Sequence, residues 1–109
     1  MLRVEVIIPL PLEGLFSYLV PEELLREAPD FGVGCRVVVP FGGKRYYTGM
    51  VFSLWEDEAG GRYKQVEQIL DARPILSTET LRLWQWMAYY YCCPIGSVLR
   101  DALPSGLLP

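Results

Sequence analysis

A chain of 109 residues, 51% hydrophobic and 21% charged, has the balance of a folded globular protein and excludes a disordered or fibrous one. A chain this short is expected to be one domain around a single modest core. Its formal net charge of −3 excludes a broad grip on duplex phosphates, and the absence of histidine removes the commonest general base and metal ligand.

Residues 2–8 (LRVEVII) alternate and are rich in β-branched side chains, which predicts a strand. PLPLEG is a proline-broken loop, and residues 15–20 (LFSYLV) read as a second strand. Pro21 is placed to open a short helix, PEELLREA, whose Glu22 and Glu23 suit its positive N-terminal end. Residues 35–39 (CRVVV) give a buried-strand signal that stops at PFGG. Residues 46–55 (YYTGMVFSLW) predict the longest strand, in which Gly49 marks a bulge or a close backbone approach. After the polar loop EDEAGGR, residues 63–70 (YKQVEQIL) read as a last strand. Short strands separated by turns predict a mostly β fold, a small antiparallel barrel or curled sheet of OB-like type over about 1–72.

The character changes at Pro74, and one or two helices are expected over about 75–103. Ser77 is a candidate N-cap, and TETLRLWQWMAYYYC follows at helical period. Leu81, Trp84, Ala88 and Tyr91 share one face, Leu83, Met87 and Tyr90 another, with Trp86 between them. Such a helix needs partners on two sides: the barrel on one, and further segments of a longer protein, a second copy or simple core coverage on the other. Pro94 breaks it, IGSVLRDAL is a short amphipathic helix, and LPSGLLP has linker composition, so the chain is expected to be a fragment of a longer protein.

Motifs for chemistry are mostly absent. There is no GxxxxGK[ST] loop, no GxSxG elbow and no nucleophile–base pair, so enzymatic activity is not expected within these residues. PFGGK lacks the spacing of a phosphate loop and reads as a strand-to-strand turn. Cys35, Cys92 and Cys93 have neither disulfide-framework nor zinc spacing and are expected to be small buried side chains of a cytoplasmic protein. No apolar run reaches membrane-spanning length. The charge is uneven: residues 36–64 carry Arg36, Lys44, Arg45, Arg62 and Lys64 against Glu56, Asp57 and Glu58. Phe16, Tyr18, Phe41, Tyr46, Tyr47 and Tyr63 interleave with those cations. That mixture is either a single-strand binding surface, where bases stack and cations hold phosphates, or core aromatics beside a solvated basic hairpin.

Three segments together resemble the N-terminal domain of the PriA family of replication-restart helicases: VIIPLPL with LFSYLVP, VGCRVVVPFG followed by YYTGMV, and WMAYYYCCPIGSVLRDALPSGL. The resemblance covers essentially the whole chain. It implies a module that binds the 3′ end of the nascent leading strand at an arrested fork and targets the parent helicase for primosome assembly and replication restart. It also implies that ATP and zinc belong to the parent protein and that this fragment holds no cofactor. The implied partners are single-stranded or forked DNA with a free 3′-OH, the remaining helicase domains and other primosome proteins, with no membrane. The implied terminal-nucleotide pocket maps onto Phe16 for packing on the base, Ser17 where the family often has aspartate, Gly42 for close backbone approach, and Lys64 for a phosphate or base edge. The alternative is a structural module that docks on the helicase lobes without binding DNA itself.

Overall fold

The structure is a computed structural model that describes residues 1–57 and 63–103. Glu58 and Arg62, most of the EDEAGGR loop and the closing PSGLLP lie outside the described residues. Five strands form one antiparallel sheet in the order β2-β1-β4-β3-β5, with β1 at Leu2–Ile7, β2 at Phe16–Val20, β3 at Arg36–Pro40, β4 at Tyr46–Glu56 and β5 at Gln68–Ile69. Three helices accompany it, α1 at Glu22–Glu27, α2 at Thr78–Tyr90 and α3 at Ile95–Ala102. The architecture is a curled, OB-like half-barrel followed by C-terminal helices.

Alternation along β1 explains both sides of the sheet. Val4 and Val6 point into the barrel, where they meet Tyr18, Val20, Val37, Val39, Val51 and Val66. Ile7 and Met50 face the other way and are fully buried under Leu81, Trp84, Ala88, Ile95, Val98 and Leu99 of the two C-terminal helices. The expectation of one core is therefore refined to two clusters that share strands across one sheet. The register between β1 and β4 slips between Glu5 and Val6. Phe52 is the extra residue, so the bulge falls beyond Gly49. Gly49 serves the close approach instead: a Cβ there would lie 2.9 Å from the carbonyl oxygen of Ile7 and closer still to the Val6 side chain.

The strand expected over 63–70 is shortened to Gln68–Ile69. Its first half pairs elsewhere. Leu19 donates its N–H to the carbonyl of Lys64 at 3.0 Å, and Val66 donates to the carbonyl of Leu19 at 2.9 Å. Further on, Glu67 donates to Val38 and Leu70 to Arg36, across β3. One segment thus crosses from the β2 edge to the β3 edge and draws the two ends of the curled sheet together, so it pairs with neither for its full length. Arg36 fixes the far end of this crossing. Its guanidinium donates from Nε and Nη2 to the two Asp71 oxygens at 2.8 Å each, and its main-chain N–H donates to Asp71 Oδ2 at 2.9 Å. These bonds hold the Asp71 carboxyl below its ordinary range, against the opposing effect of its burial.

The helices begin close to where their signals stand. Ser77 caps α2, accepting from the Thr80 N–H at 3.1 Å, whereas Pro21 sits at the N-cap of α1, one place before the first helical residue. On α2 the inner face of Leu81, Trp84 and Ala88 is buried, but Tyr91 is not part of it. It lies beyond the last helical turn and is 69% exposed. Leu83, Trp86, Tyr89 and Tyr90 are also exposed, with the Trp86 and Tyr90 rings stacked at 5.0 Å. The cysteines divide: Cys35 is buried, Cys93 is half-buried, and Cys92 is exposed in a left-handed conformation with φ 52°, so burial of all three is corrected. Among the described residues no helix is long and apolar enough to cross a membrane.

Candidate nucleic-acid interface

β2 is an edge strand, and the crossing segment covers that edge only at Leu19. Main-chain groups alternate sides along a strand. Both main-chain groups of Leu19 turn toward residues 64–66, so those of Ser17, two residues away, turn to the same side. They face a gap bounded across by Pro40, Phe41 and Gly42 and below by Tyr63 and Lys64. The gap is a cavity of about 320 Å³, whose walls also include Phe16 and Tyr18. All four residues of the expected pocket, Phe16, Ser17, Gly42 and Lys64, therefore line one cavity although 48 positions of sequence separate the first from the last.

Each wall is fixed by an identifiable contact. The Phe16 ring meets Phe41 edge-on at 4.9 Å between centroids, and Phe41 meets Tyr47 at 6.2 Å, so an aromatic row runs from β2 to β4. The Tyr18 hydroxyl donates to the carbonyl of Pro40 at 2.7 Å and clamps β2 to the end of β3 across the floor. Burial pushes the Tyr18 phenol above its ordinary range. Gly42 and Gly43 turn the chain with φ of +68° and +85°, in the left-handed region that glycine enters without strain. A Cβ at Gly42 would meet no protein atom within 4 Å, so a side chain there is opposed by the left-handed backbone and not by a clash with the protein. Lys64 is anchored through its carbonyl while its side chain remains exposed.

Ser17 has a neighbour that the sequence does not reveal. It pairs with Glu5 across β1, on the face opposite Phe16, and its Oγ accepts from Arg3 Nη2 at 3.1 Å. The Arg3 guanidinium lies 4.2 Å from the Tyr63 ring centroid and 4.8 Å from that of Trp55, and its Nη1 donates to Asp57 at 3.1 Å. Tyr18, Phe41 and Tyr63 of the aromatic set also line the cavity, together with Pro40, and Arg3 beside them carried no expected role. The period-2 pattern of β1 placed Arg3 off the core face, but only the folded register brings Asp57, 54 residues away, beside it.

Other expected cations stand elsewhere. Lys44 and Arg45 are exposed on the β3–β4 turn, outside the cavity walls, as is the aromatic Tyr46 at the start of β4, and Arg36 is engaged with Asp71. A larger space of about 510 Å³ lies between residues 13–15 and α2. Its walls are mainly apolar, from Leu15, Ala88, Cys93 and Ile95, with Glu13 as the one charged group. A polyanion finds no cation there, whereas the smaller cavity combines aromatic rings, a hydroxyl, exposed main chain and a lysine. Such a set has the stacking surface and the cation that a single strand uses, rather than a row of cations for a run of phosphates.

Comparison with known proteins assigns the class. Residues 5–104 match the family described as the 3'DNA-binding domain (3'BD), so the fold and cavity belong to a DNA-binding domain. The chain belongs to the PriA 3′DNA-binding domain family. Its relatives include the replication restart proteins PriA of Haemophilus influenzae, 34% identical over 102 residues and 93% of this chain, and of Rickettsia conorii, 33% identical over 97 residues and 87% of this chain. PriA of Buchnera aphidicola is 30% identical over 108 residues, 95% of this chain. The chain spans only 13–14% of the length of these relatives.

Proposed function

We propose that the cavity between β2 and the β3–β4 turn holds the 3′-terminal nucleotide of a DNA strand, and that the chain thereby targets a parent replication-restart helicase to the nascent leading strand at stalled forks. The convergence of Phe16, Ser17, Gly42 and Lys64 on one cavity carries this reading. A volume of about 320 Å³ lies at the lower end of ligand sites, about 300–1,000 Å³, which suits one terminal nucleotide. In this reading the base packs on Phe16, the Ser17 hydroxyl and main chain meet a base edge or the 3′ oxygen, Gly42 allows close approach, and Lys64 meets the phosphate. A strand continuing beyond the 3′ oxygen meets the cavity wall, so selectivity for an end arises by exclusion as much as by attraction. The helicase activity, ATP and zinc are assigned to further segments of the parent, in the cytoplasm, with primosome assembly as the outcome.

The test is fluorescence anisotropy with labelled single strands that end in a 3′-OH or a 3′-phosphate. The free hydroxyl is expected to bind more tightly, and equal affinities overturn the pocket. A second reading is favoured by the exposed face of α2 and its C-cap, where Leu83, Trp86, Tyr89, Tyr90 and Tyr91 are each more than half exposed. In it, that face docks on helicase lobes of the parent without contacting DNA. Titrating the parent without this segment with the isolated chain, and with Trp86→Glu, tests it, and unchanged affinity for the variant rejects it.

A further inference from the structure

Ser17 Oγ has one proton to donate and two lone pairs with which to accept. Arginine only donates, so the 3.1 Å bond from Arg3 Nη2 occupies a lone pair of Ser17 and cannot use its proton. Among the described residues this is the hydrogen bond that the Ser17 side chain makes. Arg3 is itself held in place. Its guanidinium packs against the rings of both Tyr63 and Trp55, and Asp57 accepts from its other terminal nitrogen. Tyr63 also forms a wall of the cavity, so the layer that fixes Arg3 is continuous with the site. A planar fork held by two rings and a carboxylate gives up little further freedom when it bonds Ser17.

We propose that Arg3 is a positioning residue of the terminal-nucleotide site that acts through Ser17. Its guanidinium takes one lone pair of Ser17 and leaves the proton free for the cavity, so Ser17 donates to an acceptor atom of the terminal nucleotide, on its base edge or its 3′ oxygen, with one lone pair to spare. This rests on the DNA-end reading above and specifies which way one of its hydrogen bonds runs. A guanidinium bonded to the hydroxyl oxygen also polarises it and strengthens that donor.

A double-mutant cycle tests this, read as the affinity for a fluorescein-labelled deoxythymidine decamer with a free 3′ end. Arg3→Met keeps an apolar stem against the two rings and removes the donors, and Arg3→Gln replaces it if the methionine variant does not fold by circular dichroism. Arg3→Met is expected to weaken binding about fivefold when Ser17 is present and less than about 1.5-fold in the Ser17→Ala background, because the hydroxyl through which it acts is then missing. Arg3→Lys retains a donor and is expected to recover part of the loss. Equal losses in both backgrounds, or no loss from Arg3→Met alone, overturn the inference and leave the DNA-end reading standing. Absence of binding by the unaltered chain overturns the DNA-end reading and this inference with it.

Discussion

Tyr18→Phe separates the clamp under the cavity from the packing around it. The substitution keeps the ring among Val4, Val20 and Val39 and removes only the hydroxyl that donates to Pro40 at 2.7 Å. The lost bond is worth about 1 kcal/mol net, with the Pro40 carbonyl left to find water at the cavity edge. For a domain of this size that lowers the thermal midpoint by about 5 °C. The same energy bounds the effect on DNA. If the clamp holds the cavity in its binding shape, removing it shifts the balance by at most about 1 kcal/mol, and affinity falls by no more than about fivefold. Circular dichroism melting and oligonucleotide anisotropy on the same preparation give both numbers. An unchanged midpoint shows that the bond contributes nothing. A loss beyond about tenfold with an unchanged midpoint refutes the clamp and makes the hydroxyl a direct ligand contact.

Three further outcomes follow from the same geometry. Gly96→Ala places a Cβ against the carbonyl oxygens of Ile8 and Leu10, both main chain, so α3 must retreat from the segment that follows β1; a cost of about 3 kcal/mol is expected, seen as a large fall in the urea midpoint, and a fall under about 1 kcal/mol refutes the contact. Asp71, held below its ordinary range by Arg36, contributes stability that is fully present above the unfolded carboxyl value near pH 4 and is lost as pH falls through the lower folded value. Asp71→Asn therefore costs about 3 kcal/mol at neutral pH and flattens the acid limb of the stability curve; a limb unchanged from the parent chain refutes the assignment. Lys64→Ala is expected to weaken single-strand binding several-fold and to reduce the slope of log affinity against log salt by about 0.7, the share of one phosphate, whereas an unchanged slope removes Lys64 from phosphate contact.

Local signals carried much of the fold. The β-branched run before Pro40, the long strand after the double glycine and the Ser77 cap all act within a few residues of themselves, and each marks an element of the structure, whereas α2 ends at Tyr90, ahead of the expected break at Pro94, which instead is the N-cap of α3. The misread features depend on distant partners. Residues 63–67 alternate like a strand but cross between two edges, because what they pair with is decided by the curl of the sheet. Gly96 carries no local motif, and its need for a missing side chain arises from the approach of residues 8–10. Cys92 looks like a helical interior residue until the left-handed turn after α2 brings it to the surface. The cavity residues were named through resemblance; composition and periodicity alone left the aromatics divided between core and binding surface. Phe41 and Tyr47 in fact serve both, since they pack on the barrel core and support the cavity wall.

The central claim is that this cavity recognises a strand end rather than a strand. A single-stranded oligonucleotide and its circularised form, identical in sequence and phosphate density, differ in that respect. Competition against a labelled linear probe is predicted to show displacement by the linear form and little by the circle, with the difference lost in Gly42→Leu at the cavity wall but kept in Gly42→Ala, which carries the same left-handed backbone strain without the bulk. Equal competition by the circle contradicts the account.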